Sequence, residues 1–199
     1  MAYPKVLADL IYEFRKLPGI GEKSAERYAL AVLDFKDEDV EKFASSIKIS
    51  KETLHRCSIC GHITADDLCD ICSDKNRNQN VICVLEDYKS VFAFEKAGNY
   101  NGVYHVLNGL ISPIDDVNPE DINIASLIER VEKLENPEVI IALKSTIEGD
   151  TTTLYIQKVL ESKNVSISRL SYGLPMGAEI DYLDELTLDR ALSDRKKIS

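Results

Sequence analysis

The sequence predicts a mixed α+β protein: a helical N-terminal region, a small four-cysteine knuckle, an α/β region with a mostly parallel sheet, and a C-terminal helical segment. Three observations predict it. Apolar residues before residue 56 recur at helical spacing. Two Cys-x-x-Cys pairs stand eight residues apart, Cys57/Cys60 and Cys69/Cys72. After residue 80, short apolar runs alternate with helical stretches, the pattern of strands covered by helices on both faces. The expected boundaries are 1–56 for the helical region, 57–72 for the knuckle, 80–175 for the α/β domain and 176–199 for an oligomerisation segment.

Val6, Leu7, Leu10, Ile11 and Phe14 lie on one face of an expected helix over 4–15. Pro18 ends it, because the residue before a proline is biased away from helical torsions. Gly19 and Gly21 permit a tight hairpin, and a second helix begins at about Glu22. Its unpaired N–H groups and positive dipole end point over the hairpin. Lys23 and Arg27 share a face at i, i+4, so the product is a phosphate cradle with two cations beside it. Glu22 and Glu26 partly offset those cations. The bland alternative is a helical hairpin with a solvated Lys/Arg face. A third helix, 37–49, is expected to turn Val40, Phe43, Ala44 and Ile47 inward, and Lys48, Lys51, His55 and Arg56 lead from it to the knuckle.

Each Cys-x-x-Cys pair supplies two thiolates from a tight turn, and the eight intervening residues let the second pair fold back on the first. One Zn²⁺ per chain suits four soft thiolates, and four ligands leave no open position, so the site is expected to be structural. Disulfides and an iron–sulfur cluster are the alternatives. His62 is expected at the surface. Cys83, inside Val81–Leu85, is expected to be a buried small hydrophobe.

Strands are expected at 81–85, 102–107, 138–143 and 165–170, with helices at 87–97, 124–134 and 151–162. Ligands of open α/β sheets sit beyond the carboxyl ends of the strands. Glu86 follows the first strand; Lys144, Thr146, Glu148 and Asp150 follow the third. Glu148 and Asp150 also suit the start of a helix, with Lys144 paired to one of them. The last stretch combines a Gly/Pro loop at 172–177 with acidic residues interleaved with apolar ones. No Gly-x-x-x-x-Gly-Lys-Ser/Thr loop occurs, which argues against ATP hydrolysis.

Composition narrows the classes. Of 199 residues, 44% are hydrophobic and 29% charged, and the net charge is −10. Residues 1–56 carry ten basic and ten acidic side chains, so the whole deficit falls on the later part. A polyanion partner would therefore meet the first region. No run of 18 apolar residues exists, and the first residues lack the apolar core of a signal peptide. The expectation is a cytoplasmic location, no membrane partner and reduced thiols.

The string Leu17-Pro18-Gly19-Ile20-Gly21, continued by Lys23, Ser24, Ala25 and Arg27, resembles the helix-hairpin-helix grip on DNA backbones. Residues 80–175 resemble a Toprim domain, in which a Glu follows the first strand and an Asp-x-Asp follows the third. Glu86 matches the first position and Glu148-Gly149-Asp150 a trailing acidic tripeptide, but Lys144 and Thr146 stand where the two aspartates would fall. An ammonium repels a divalent ion, so Mg²⁺ chemistry is not expected, and Glu86, Glu148 and Asp150 are left as a weak metal or partner contact. With the knuckle and the Gly/Pro stretch, nearly the whole chain resembles the RecR family of bacterial recombination mediators. That resemblance implies a DNA-repair protein that is not an enzyme. It implies work with RecO and RecF to load RecA at single-stranded gaps, and dimers joined into a tetrameric ring around duplex DNA. It places DNA contacts at Lys23 and Arg27. The family commonly carries Asn where this chain has Lys144. A Mg²⁺-dependent Toprim nuclease or primase, and a protein-only adaptor for RecO and RecF, are the competing functions.

Overall fold

The computed structural model describes residues 3–171, 173, 174 and 176–197, in two compact units, Met1–Leu54 and His55–Ser199. The first holds α1 (Lys5–Arg15), α2 (Glu22–Leu33) and α3 (Asp37–Thr53). Ile11, Ala25 and Ala29 form its small core, with Leu7, Leu10, Phe14 and Ile20 against them. Alanines at i and i+4 let α1 and α2 approach closely. Contrary to expectation, α3 buries none of its residues, and Val40, Phe43 and Ile47 are exposed. The apolar stripe is there, but a unit of about fifty residues has too little interior for a third helix face.

The second unit begins with the two-stranded antiparallel pair β1 (His55–Arg56) and β2 (Ile63–Thr64), then the one-turn helix α4 (Asp70–Ser73). The α/β part follows: β3 (Asn78–Leu85), α5 (Tyr88–Ala97), β4 (Gly102–Val106), α6 (Ile124–Glu132), β5 (Glu138–Ala142), α7 (Ile147–Leu160) and β6 (Ser166–Arg169). The four long strands form one parallel sheet in the order β4-β3-β5-β6. A final helix, α8 (Glu185–Ser193), is capped by Asp184, whose side chain accepts from the Thr187 amide. Of the Gly/Pro loop, Tyr172 and Pro175 lie outside the described residues.

Alternation along the strands builds two cores. Ile82, Val84, Val103, Val139 and Ile141 face Leu127, Val131, Ile156 and Leu160 of α6 and α7. Cys83, Leu85, Tyr104 and Val106 face Val91 of α5 on the other side. Cys83 is buried there as a small hydrophobe, and burial pushes its thiol up to about 12. Strand order reverses at β3, so the crevice between β3 and β5 is the switch point where such sheets bind ligands. Glu86 and Lys144 emerge there.

His105 on β4 is fully buried under α6. Its Nε2–H donates to the Asn123 carbonyl at 2.8 Å, and Nδ1 has no partner among the described residues. Burial holds its pKa down to about 4. Above the unfolded value near 6.5 both states are neutral and the fold keeps its full stability. Between there and pH 4 the unfolded chain takes a proton that the folded chain refuses, so stability falls as pH falls. Denaturant unfolding is expected to lose about 2 kcal/mol more between pH 7 and pH 5 in the parent than in His105→Gln. Equal losses in both would remove His105 as the cause.

Candidate functional site

The knuckle is assembled by its own backbone. The Cys57 amide donates to the His62 carbonyl at 2.7 Å and the Gly61 amide to the Cys57 carbonyl at 3.0 Å. Gly61 makes the turn at φ +72, and a Cβ there would come within 2.9 Å of the Val106 carbonyl and the Asn123 amide nitrogen. Cys69 precedes α4, whose single turn brings Cys72 round to the same side. The result gathers Cys57, Cys60, Cys69 and Cys72 with all four sulfurs within 4.8 Å of one another. None is in a disulfide. The Cys60 and Cys69 sulfurs are 3.6 Å apart. A tetrahedral ion with Zn–S bonds of about 2.3 Å places its sulfurs about 3.8 Å apart, so the cluster fits one Zn²⁺.

Further donors suit thiolates. The His62 amide points at the Cys60 sulfur and the Cys69 amide at the Cys57 sulfur, each at 3.4 Å. Bound there, the ion would crosslink two loops and do no chemistry, because four thiolates fill its coordination. The knuckle is also fixed to the sheet: the Val106 amide donates to the Cys60 carbonyl at 2.7 Å. His62, expected at the surface, is 6% exposed. Its ring packs edge-on against Phe92 at 4.9 Å. The contact comes from α5, thirty residues away, so nothing near His62 in sequence announced it.

In the helical unit, Gly19 takes φ +78, a conformation that side chains rarely adopt. Gly21 stands at the N-cap of α2 in an extended conformation with no side chain capping the helix. The first-turn N–H groups of α2 are therefore left open toward solvent. Among the described residues, nothing beyond the chain neighbours lies within 4 Å of a Cβ built at either glycine. Lys23 and Arg27 are exposed, and neither pairs with a carboxylate among the described residues; Arg27 lies over the Tyr28 ring at 5.3 Å. Glu26, expected to offset them, accepts a hydrogen bond from the Tyr3 hydroxyl.

At the sheet's switch point, Glu86, Asp115, Lys144, Thr146 and Glu148 line a cleft of about 670 Å³. The expected partner of Lys144 is Glu148 or Asp150. It donates instead to Glu86 at 2.9 Å, because parallel register brings the ends of β3 and β5 side by side. Helix α7 starts at Ile147, earlier than expected, with Thr146 as its cap. Glu148 sits in the first turn as anticipated, its carboxyl held below the usual range by its own backbone N–H and by Thr146. Asp150 also lies in the first turn. It pairs with Arg190 of α8 at 2.9 Å and lies 4.0 Å from Arg169 of β6. The acidic trio is thus split, with Glu86 and Glu148 at the cleft and Asp150 in a network that holds α8. The Arg190 contact joins residues forty apart and left no local signal.

A hairpin with an open helix end, a four-thiolate knuckle and a parallel sheet with acids at its switch point define a helix-hairpin-helix, zinc-finger and Toprim protein. Comparison with known families agrees part by part. Residues 7–50 match the family described as RecR, helix-hairpin-helix; 54–74 the RecR zinc finger domain of four cysteines; 80–171 a Toprim domain; and 173–196 the RecR C-terminal region. Over the full length of both chains it is 46% identical to Recombination protein RecR of Enterococcus faecalis strain V583. It is 47% identical, again over full length, to Recombination protein RecR of Staphylococcus aureus strain MRSA252. The chain belongs to the RecR family of recombination proteins.

Proposed function

We propose that this chain is a non-enzymatic, cytoplasmic mediator of DNA repair that grips the DNA backbone without regard to sequence. In this reading Gly19 and Gly21 let a phosphate approach the open N-terminus of α2, and Lys23 and Arg27 add charge on the same face. The observation that carries it is the pair of exposed cations beside an uncapped helix end, with Glu26 drawn away by Tyr3. Zn²⁺ on Cys57, Cys60, Cys69 and Cys72 is structural. The chain acts with RecO and RecF to help load RecA at single-stranded gaps, as a dimer or tetramer ring in which 176–199 serves assembly. Inward-facing hairpins reconcile a positive lumen with a net charge of −10.

A Mg²⁺-dependent activity is disfavoured by Lys144. Its ammonium already satisfies Glu86, and a divalent ion at the switch point would have to displace it. The decisive experiment is Lys23→Ala with Arg27→Ala. Duplex affinity is expected to collapse, and the slope of log affinity against log salt to drop by about 2 per hairpin engaged. Zinc content and melting temperature should stay as in the parent. Unchanged duplex affinity in that double variant would sink the hairpin assignment.

A further inference from the structure

The exposed face of α5 carries a row of rings and cations that the hairpin grip does not use. Asp87 caps the helix by accepting from the Lys89 amide at 2.8 Å. Helical spacing then sets Tyr88, Lys89, Phe92 and Lys96 along one side. Phe92, at the centre, is 54% exposed. It is held on two sides, by the buried His62 ring at 4.9 Å and by Tyr88 at 6.5 Å, both edge-on. The Arg56 guanidinium lies over the Tyr88 ring at 4.4 Å. The row thus runs from a buried imidazole through a half-open phenyl ring to a stacked, exposed guanidinium.

The charges around it are available. Lys89, Lys96 and Arg56 form no ion pair with a described residue. The carboxylates of the same helical stretch are occupied: Asp87 by its cap, and Glu95 by Arg77 at 2.9 Å and the Tyr104 hydroxyl at 2.7 Å. In an acidic chain, Lys89, Lys96 and Arg56, the last donating to the Gly61 carbonyl at 3.5 Å, gather three cations without a carboxylate partner among the described residues around preset aromatic rings.

We propose that Phe92, Tyr88 and Arg56 form a stacking platform for an unpaired DNA base, with Lys89 and Lys96 on the neighbouring phosphates. Every base has a π face, so rings and a guanidinium plane bind single strands with little regard to sequence. Paired bases are stacked inside the duplex and do not reach the platform, so this surface favours single strands. A protein partner fits less well, because lysine is depleted from protein interfaces. The proposal deepens the DNA-binding reading and rests on it, with a separate test.

The test uses the zinc-loaded full chain, oligothymidylate, a duplex of equal length, and a single strand carrying one 2-aminopurine. Phe92→Ala is expected to weaken oligothymidylate binding about tenfold and to abolish the 2-aminopurine fluorescence change, with duplex affinity unchanged. Phe92→Trp should keep both single-strand signals. Lys89→Gln with Lys96→Gln, which disturbs no packing, should lower the single-strand salt slope by about 1.4. Unchanged oligothymidylate affinity in Phe92→Ala overturns the proposal. So does an equal loss on both DNAs accompanied by loss of zinc, which would make Phe92 a packing residue. A silent lysine pair beside a sensitive Phe92 also overturns it, because the ring would then act without the phosphate contacts the platform requires. Failure of Lys23→Ala with Arg27→Ala to affect duplex binding, with stacking intact, would remove the hairpin and leave this platform standing.

Discussion

Stripping the metal from Cys57, Cys60, Cys69 and Cys72 is expected to unfold the knuckle and loosen the β4 edge of the sheet. A structural Zn²⁺ contributes about 10–16 kcal/mol in small zinc-binding peptides, as much as the whole stability of a typical domain. The knuckle has little else to hold it. Its own core is Cys57, Cys60 and Cys69, with Leu68, Ile71 and Cys72 packed against them. The loss should spread by one identifiable route. The Val106 amide bonds to the Cys60 carbonyl, and Gly61 is wedged against the Val106 carbonyl and Asn123. A strong chelator should therefore raise hydrogen exchange at the Val106 amide together with the knuckle, before the amides of β5 respond. Cys69→Ser should carry no zinc and give mostly insoluble protein. A soluble Cys69→Ser chain with a protected Val106 amide and selectively lost DNA binding would instead make the knuckle a direct DNA contact.

Local chemistry is legible in the sequence; pairing across distance is not. The Cys-x-x-Cys spacing marks the four sulfurs that gather into one cluster, because two tight turns and a short connector leave few other places for them. Period-2 and continuous apolar runs mark all four strands of the sheet, and the Pro-Gly-x-Gly string marks the hairpin. Errors arise where a residue's partner comes from another element. His62 reads as a surface residue because four cysteines already supply the ligands, whereas the fold buries its ring against Phe92 of α5. Nearness in sequence matches Lys144 to the acids four and six residues on, whereas register sets it beside Glu86. The stripe on α3 reads as a core face by its period alone, yet periodicity shows that a helix has an apolar side and not that anything covers it.

Gly149 is expected to tolerate no side chain, and Gly149→Ala should be among the most damaging single changes to the α/β domain. Its backbone is ordinary helix, so positive φ is not the reason. The turn after β5 folds back over the first turn of α7, and a Cβ at Gly149 would lie 1.9 Å from the Lys144 carbonyl oxygen. That oxygen belongs to the main chain and also accepts from the Thr146 amide at 3.0 Å, so it has no free rotation by which to yield. Either α7 or the 144–146 turn must move. Moving the turn weakens the Thr146 cap on the Gly149 amide and draws Lys144 away from Glu86. The expected cost is about 3 kcal/mol, near the upper end for overpacking, or a fall in melting temperature of about 6–12 °C in a chain of this size. Thr146→Ala, which removes the cap without a clash, should cost only about 1 kcal/mol. Differential scanning calorimetry of the two variants separates the effects. If Gly149→Ala melts no lower than Thr146→Ala, the close approach of the 144–146 turn to α7 is wrong, and with it the placement of Lys144 on Glu86.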